Sequence, residues 1–382
     1  MKDYDVFIAG GAVAGPVAAK FCAKHNLKTL LVEKALVPRE KSCSGIQFPY
    51  FEKIIGDPIP PERLCNNTLS KVEMHFPDGK KVSSDFPMLN FMRDIFDEWL
   101  CLLAVEYGAE FRDGCQYKGN QITPDGILVR LTENGKEEWI KTKYVVDATG
   151  MRPAIRQDIR SKDNFQKGSS GATLNYYFTA DGNLETDKLY QFWDIEFNNM
   201  MFAWVYNKTL SDGEDYWVVG TGYDKDIKTR LDKFFDHVIN LYDLKNVDIV
   251  KKEGFSSSMV FTGEDRIWLG EENFLMVGDA AGLIDLTRGV GMDSAALSGR
   301  LAAKAICLST RTGKPVNPIY HKLMKGLVKQ TRRNQESGIL SFQSNQELQT
   351  YLDQGMMKMG LNMLIQNQLN KIRSAERQVM IP

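Results

Sequence analysis

What the chain lacks narrows its chemistry first. Neither sign of charge dominates, with 48 Lys and Arg against 49 Asp and Glu, so nothing suggests nucleic acid as a partner. The six cysteines (22, 43, 65, 101, 115 and 307) contain no C-x-x-C and no metal-ligand spacing. The four histidines, at 25, 75, 237 and 321, are scattered and form no evident metal cluster. No apolar run is long enough to span a bilayer, and no signal-peptide pattern precedes the first apolar strand. Asn66 and Asn207 stand in glycosylation sequons, which without a secretory signal are chance matches. These absences lead us to expect a reduced, cytoplasmic protein. At 382 residues the chain holds one large two-part domain or two domains, without internal repeat or low-complexity tract.

What is there is a pair of small-residue turns at opposite ends of the chain. Asp5–Val6–Phe7–Ile8–Ala9 reads as an apolar strand that runs into Gly10–Gly11–Ala12–Val13–Ala14–Gly15 and then a helix. Such a turn lets backbone N–H groups and a helix N-terminus face a pyrophosphate. Gly10 and Gly15 match the first and third glycines of G-x-G-x-x-G, and Ala12 stands where the second belongs. Thr29–Val32 reads as the next strand, followed by Glu33 and Lys34. A carboxylate at that strand end is placed to accept hydrogen bonds from an adenosine ribose. Far along the chain, Phe274–Val277 and Gly278–Asp279–Ala280–Ala281–Gly282 again read as strand, Gly-Asp, small residues and helix. Two such elements suggest one long dinucleotide gripped at two places, which points to FAD.

The fold class expected is α/β: a Rossmann-like FAD-binding domain interleaved with an antiparallel β-sheet substrate domain, and a helical C-terminus. The nucleotide domain is assigned to residues 1–75, 91–160 and 265–310, and the substrate sheet to 76–90 and 161–264. Residues 311–382 form the helical end. A helix is expected from about Arg93 to Tyr107, closed by Gly108, and turns at Pro77–Asp78–Gly79, Asp113–Gly114 and Asn134–Gly135. Thr173–Phe178, Phe202–Tyr206 and Tyr216–Gly220 alternate as strands of the substrate platform.

In motif order, over roughly residues 3–310, the chain resembles the geranylgeranyl reductase family of FAD flavoproteins with the aromatic-hydroxylase-like fold. The resemblance is strongest at Gly278–Gly282 and at Gly289–Val290–Gly291–Met292, followed by Ala295 and Leu297–Ser298–Gly299–Arg300. Val290 stands where family members usually carry an acid. Asp279 is suited to accept from a ribityl hydroxyl, and it would equally serve as a plain helix N-cap. Backbone amides around Gly289, Gly291 and Met292 are suited to hold the flavin's pyrimidine edge. Arg93 with Asp97 and Leu100 resembles the family's R-x-x-x-D-x-x-L helix. Its guanidinium either meets the flavin phosphates or pairs with Asp94 or Asp97. Asp147–Ala148–Thr149–Gly150, with Arg156, resembles the second flavin motif.

For the chemistry, Lys41–Ser42–Cys43–Ser44–Gly45 resembles the cysteine-plus-glycine loop that geranylgeranyl reductases place near the isoalloxazine. Cys43 either protonates a carbon as hydride leaves the flavin, or lines the pocket. Phe202–Lys208 resembles the family segment Gly-Tyr-x-Trp-x-Phe-Pro-Lys. Trp204 and Tyr206 share one face of a strand, as pocket wall or as sheet core. The segment also echoes the Trp-x-Trp-x-Ile-Pro stretch of flavin-dependent halogenases, a pattern that Phe202 and Asn207 break.

No second dinucleotide fingerprint follows Gly220–Thr221–Gly222. The electron donor is therefore external: NAD(P)H docking transiently, or a ferredoxin-like protein. Between 320 and 382, nine Lys and Arg stand against four Asp and Glu. Met357, Leu361, Leu364, Ile365 and Ile372 recur there at helical spacing, as a peripheral membrane contact, as core or as a homo-oligomer contact. The leading expectation is reduction of C=C bonds in a prenyl-like, apolar substrate by hydride from reduced FAD. The alternatives are an FAD-dependent monooxygenase and, after it, a halogenase.

Overall fold

The computed structural model describes residues 1–160, 170–199, 202–223, 226–258, 266–284, 290–336 and 342–378. Its architecture is mixed α/β with two eight-stranded sheets and helices at the C-terminal end.

The first sheet is built on a parallel core. Glu110–Arg112, Thr29–Val32, Lys2–Ala9, Lys136–Asp147 and Phe274–Met276 lie side by side in that order, each pair parallel. Their apolar runs suit burial on both faces, and Val6, Phe7, Ile8, Leu30 and Leu31 are wholly buried. The hairpin Cys115–Thr123 with Gly126–Glu133 extends one strand sideways. Helices Ala14–Lys24, Arg93–Glu106 and Met292–Thr312 cover the sheet. Ala14–Lys24 and Met292–Thr312 abut so closely that a Cβ at Gly299 would lie 2.3 Å from the Ala14 carbonyl oxygen.

The second sheet runs Lys245–Ser258, Ser170–Asp181, Asp215–Tyr223, Ala203–Thr209, Lys188–Phe192, Leu69–His75, Lys81–Asn90 and Ile46–Gln47. Most pairs are antiparallel, with one parallel pair between Lys188–Phe192 and Leu69–His75. The sheet thus recruits two strands that precede residue 76. Alternation along each strand sorts its side chains between two cores. Tyr176, Phe178, Ala203, Val205 and Val219 pack against helix Ile227–Leu241, whose buried Leu231, Phe234, Phe235 and Val238 recur at i, i+3, i+4 and i+7. Tyr177, Trp204, Tyr206 and Val218 face the other way, into the core shared with the nucleotide sheet.

One expectation about local structure needs correction. The segment after Gly278 does not begin a long helix: Gly278–Ala281 makes one 3-10 turn, and the helix starts at Met292. Positive φ at Gly278 (56°) and Gly282 (78°) turns the backbone left-handed on both sides and stops an α-helix from propagating. The helix expected from Arg93 is present as Arg93–Glu106.

Candidate active site

The N-terminal turn is shaped for close approach. Gly10 takes φ +116°, and a Cβ there would come within 2.2 Å of the Ala148 carbonyl oxygen. At Gly15 a Cβ would lie 1.9 Å from the Gly10 carbonyl oxygen, so the helix starts pressed onto the turn. Ala12 is half-buried and Ala14 buried. No side chain caps helix Ala14–Lys24 and no acid stands in its first turn, which leaves its N–H groups and positive dipole end available to an anion. Glu33 lies over the turn and accepts from Gly11 N–H (2.8 Å) and Ala35 N–H (3.1 Å). Lys34 beside it is exposed. The Cys101 thiol, which the sequence did not single out, donates to the Gly11 carbonyl at 3.3 Å. Burial raises its pKa well above that of a free thiol.

The second motif closes against the first through the contact of Ala148 with Gly10. Asp147 is wholly buried and accepts from Thr149 N–H and O–H and from the backbone N–H groups of Ile155 and Arg156. Gly150 has φ +84°. The buried Arg156 guanidinium reaches the Ala280 carbonyl at 3.2 Å, so the second motif holds the third.

In the third motif, Gly278 N–H donates to Ser298 Oγ (2.9 Å) and Ala280 is buried. The Asp279 carboxylate lies against the start of helix Met292–Thr312, since a Cβ at Gly291 would be 3.3 Å from its Oδ1. Among the described residues it accepts no hydrogen bond. Burial raises its pKa, opposed by Lys41 and Arg93. The long helix begins at Gly291 with no side-chain cap hydrogen bond; Val290 is half-buried, Met292 is buried, and Gly289 lies outside the described residues. Asp293, in its first turn, accepts from the Tyr50 hydroxyl at 2.7 Å, a pair that sequence reading missed.

Arg93 forms an ion pair. Its Nε and Nη2 both meet Asp97 at 2.9 Å, with the guanidinium 5 % and the carboxylate 0 % exposed. The thiol of Cys43 is close enough to act on the Arg93 guanidinium electrostatically. Cys43 is partly exposed, accepts from Gly45 N–H at 3.4 Å and meets the Met292 sulfur at 3.9 Å. The structure therefore brings the cysteine loop, the Arg93 helix and the start of helix Met292–Thr312 to one place.

The substrate-sheet face completes this place. Trp204 is half-buried and donates from Nε1 to Asn175 Oδ1 (2.9 Å). Its indole lies over Gly220, where a Cβ would be 2.2 Å from Nε1. Tyr206 is buried, which pushes its hydroxyl pKa well up. Two residues on, Lys208 is 5 % exposed and gives its ammonium to the carbonyls of Ser44 (2.8 Å) and Phe91 (2.6 Å). It ties the cysteine loop to the sheet. Its place at the end of the Trp204/Tyr206 alternation was the signal that could have found it. Tyr177, from the adjoining part of the sheet, donates to Glu253 at 2.8 Å.

The described residues thus bring together a glycine turn on a parallel sheet, a carboxylate at a second strand end that accepts no hydrogen bond among them, and a cysteine loop beside an aromatic strand, an arrangement suited to an oxidoreductase. The comparisons agree. The chain is 26% identical over 322 residues to a geranylgeranyl diphosphate reductase of Rhodobacter capsulatus, covering 82% of this chain and 78% of that protein. It is 28% identical over 346 residues to a digeranylgeranylglycerophospholipid reductase of Methanosarcina acetivorans, covering 84% and 81%. A solved geranylgeranyl bacteriochlorophyll reductase-like protein from Thermoplasma acidophilum superposes with a TM-score of 0.79 at 21% identity, over 92% of this chain and 91% of that one. A myxobacterial chondrochloren halogenase, described as FAD-dependent, reaches a TM-score of 0.67 at 16% identity, over 88% and 81%. These two structures establish the fold. No family model matches the chain. The protein is an enzyme similar to geranylgeranyl reductases.

Proposed function

We propose that the chain is an FAD-dependent reductase of C=C bonds in a prenyl-like, apolar substrate. One observation carries the reading: the Cys43 thiol stands where Arg93, Met292 and the loop tethered by Lys208 converge, beside the sheet face of Trp204 and Tyr206.

The residues present fit the dinucleotide. Gly10, Gly11, Ala12, Ala14 and Gly15, with the uncapped helix behind them, would hold its diphosphate, and Glu33 the adenosine ribose. Ala148, Thr149 and Gly150 would close over it. The Asp279 carboxylate, which accepts no hydrogen bond among the described residues, would take a ribityl hydroxyl. The Val290–Gly291–Met292 backbone would face the ring edge. When bound and reduced, the cofactor supplies hydride. The rest is done by this chain. Trp204 and Tyr206 wall off water from an apolar chain, and Cys43 Sγ gives its proton to the second carbon of the double bond. Arg93, kept charged by Asp97, faces the sulfur that is left with the electron pair. Arg93 thus serves the thiol rather than the cofactor phosphates. The electron donor is NAD(P)H or a ferredoxin-like protein.

The test is product mass after incubating the flavin-loaded protein with a geranylgeranyl lipid, once with chemically reduced flavin under nitrogen and once in air with NADPH. Gain of hydrogens under nitrogen is the expected result. Gain of oxygen only in air would replace the reading with a monooxygenase.

A further inference from the structure

The last long helix, Asn345–Ile372, is anchored near both ends and carries exposed aliphatic side chains along its second half. At its start, Leu348 and Leu352 are each 1% exposed and pack with Phe76 and Trp193. Near its end, Asn370 is buried, and its carbonyl accepts from Lys53 Nζ at 3.3 Å and Gln378 Nε2 at 3.1 Å. Lys53 also reaches the Lys371 carbonyl at 3.1 Å. Between these anchors, Leu361, Leu364 and Ile365 are 59%, 56% and 47% exposed, and Ile372 at the end is 81% exposed. Spacings of 3, 4 and 11 residues from Leu361 place all four on one face. Four large aliphatic side chains in one exposed stripe mark an interaction surface.

The stretch of chain that carries the stripe holds charge of one sign. From residue 354 to residue 375 the chain has no Asp or Glu, but it has Lys358, Lys371 and Arg373. An apolar stripe set in cationic sequence complements a surface that is apolar beneath and anionic on top. A bilayer with acidic headgroups has that layering, and each basic residue near it adds to the attraction. No described helix is long and apolar enough to cross a membrane, so the contact is one of lying on the surface.

We propose that this face of helix Asn345–Ile372 docks the protein on anionic lipid bilayers, with Leu361, Leu364, Ile365 and Ile372 entering the acyl boundary. The inference goes beyond the proposed reaction and does not depend on it. Vesicle binding is read without turnover, so either idea can fail while the other stands.

The experiment is co-sedimentation of the full-length protein with vesicles of phosphatidylcholine mixed with phosphatidylglycerol, and with vesicles of phosphatidylcholine alone. The wild type binds the mixed vesicles, less so as salt rises, and binds the neutral ones weakly. Leu364→Glu with Ile365→Glu lowers binding to mixed vesicles by about tenfold or more, with an unchanged circular dichroism spectrum and melting temperature. Ile372→Ser, at the most exposed position, gives a smaller loss and serves if the double variant does not fold. Absence of wild-type binding, or variants that bind as the wild type does, overturns the proposal. So does a wild type that is dimeric by light scattering and becomes monomeric in the double variant, because the stripe then covers a second copy of this chain.

Discussion

Cys43 is the residue on which the proposed reaction turns. A thiol beside a guanidinium is a better proton donor than a hydroxyl in the same place, because the thiolate left behind is the more stable anion. Cys43→Ser therefore keeps the fold and the bound flavin but slows C=C reduction by about a hundredfold or more, measured in single turnovers of pre-reduced enzyme. A rate within a few-fold of wild type would leave Cys43 as pocket lining only. Cys43 was singled out in the sequence through the resemblance of Lys41–Gly45 to the cysteine-plus-glycine loop of geranylgeranyl reductases. The partner of Arg93 was not. The four-residue spacing to Asp97 permitted an ion pair, but only the fold shows that Arg93 is 5 % and Asp97 0 % exposed and so must neutralise each other.

Among the elements, the contact between helices Ala14–Lys24 and Met292–Thr312 joins the first and third cofactor motifs. Gly299 makes it close, since any Cβ there would strike the Ala14 carbonyl at 2.3 Å. Gly299→Val pushes the helices apart. We expect a loss of about 3 kcal/mol of stability together with weaker flavin retention, read by thermal melts and by the flavin absorbance left after gel filtration. A variant that melts and retains flavin as the wild type does would mean that the helix contact is not needed. Glycines at fixed spacing and strands with strong periodicity were readable from the chain. The 3-10 turn at Gly278–Ala281 was not, because a strand followed by small residues looks alike whether one turn or many follow. The tethering role of Lys208 was not legible for a related reason. Its role lies in carbonyls of Ser44 and Phe91, more than a hundred residues earlier, and sequence spacing carries no trace of that pairing.

At the scale of the whole molecule, the second sheet carries a cluster of charge that sets how the protein responds to acid. His75 is 8% exposed, stacks on Phe192 at 4.2 Å and has Nε2 2.9 Å from Glu73 Oε1. Lys188 and the Tyr242 hydroxyl also reach Glu73. Burial, helped by Lys81, lowers the His75 pKa from 6.5 to about 4, although Glu73 pulls the other way. His237, the next titratable neighbour, is lowered too, chiefly by burial. A base with a depressed native pKa binds fewer protons folded than unfolded. Stability is therefore full above pH 6.5 and falls as pH drops from 6.5 towards 4. Glu73 adds its own loss only below 4.5: burial raises its pKa, but Lys188 and His75 outweigh that and hold it low. The two windows can thus be separated. His75→Phe keeps an aromatic ring against Phe192 and removes the titration. In urea unfolding series between pH 6.5 and 4.5, the wild type should lose about 1 kcal/mol more than His75→Phe, after allowing for partial solvent screening. Parallel curves for the two proteins would place the acid sensitivity of this window elsewhere, with His237, whose pKa burial also lowers from 6.5, as the next group to replace.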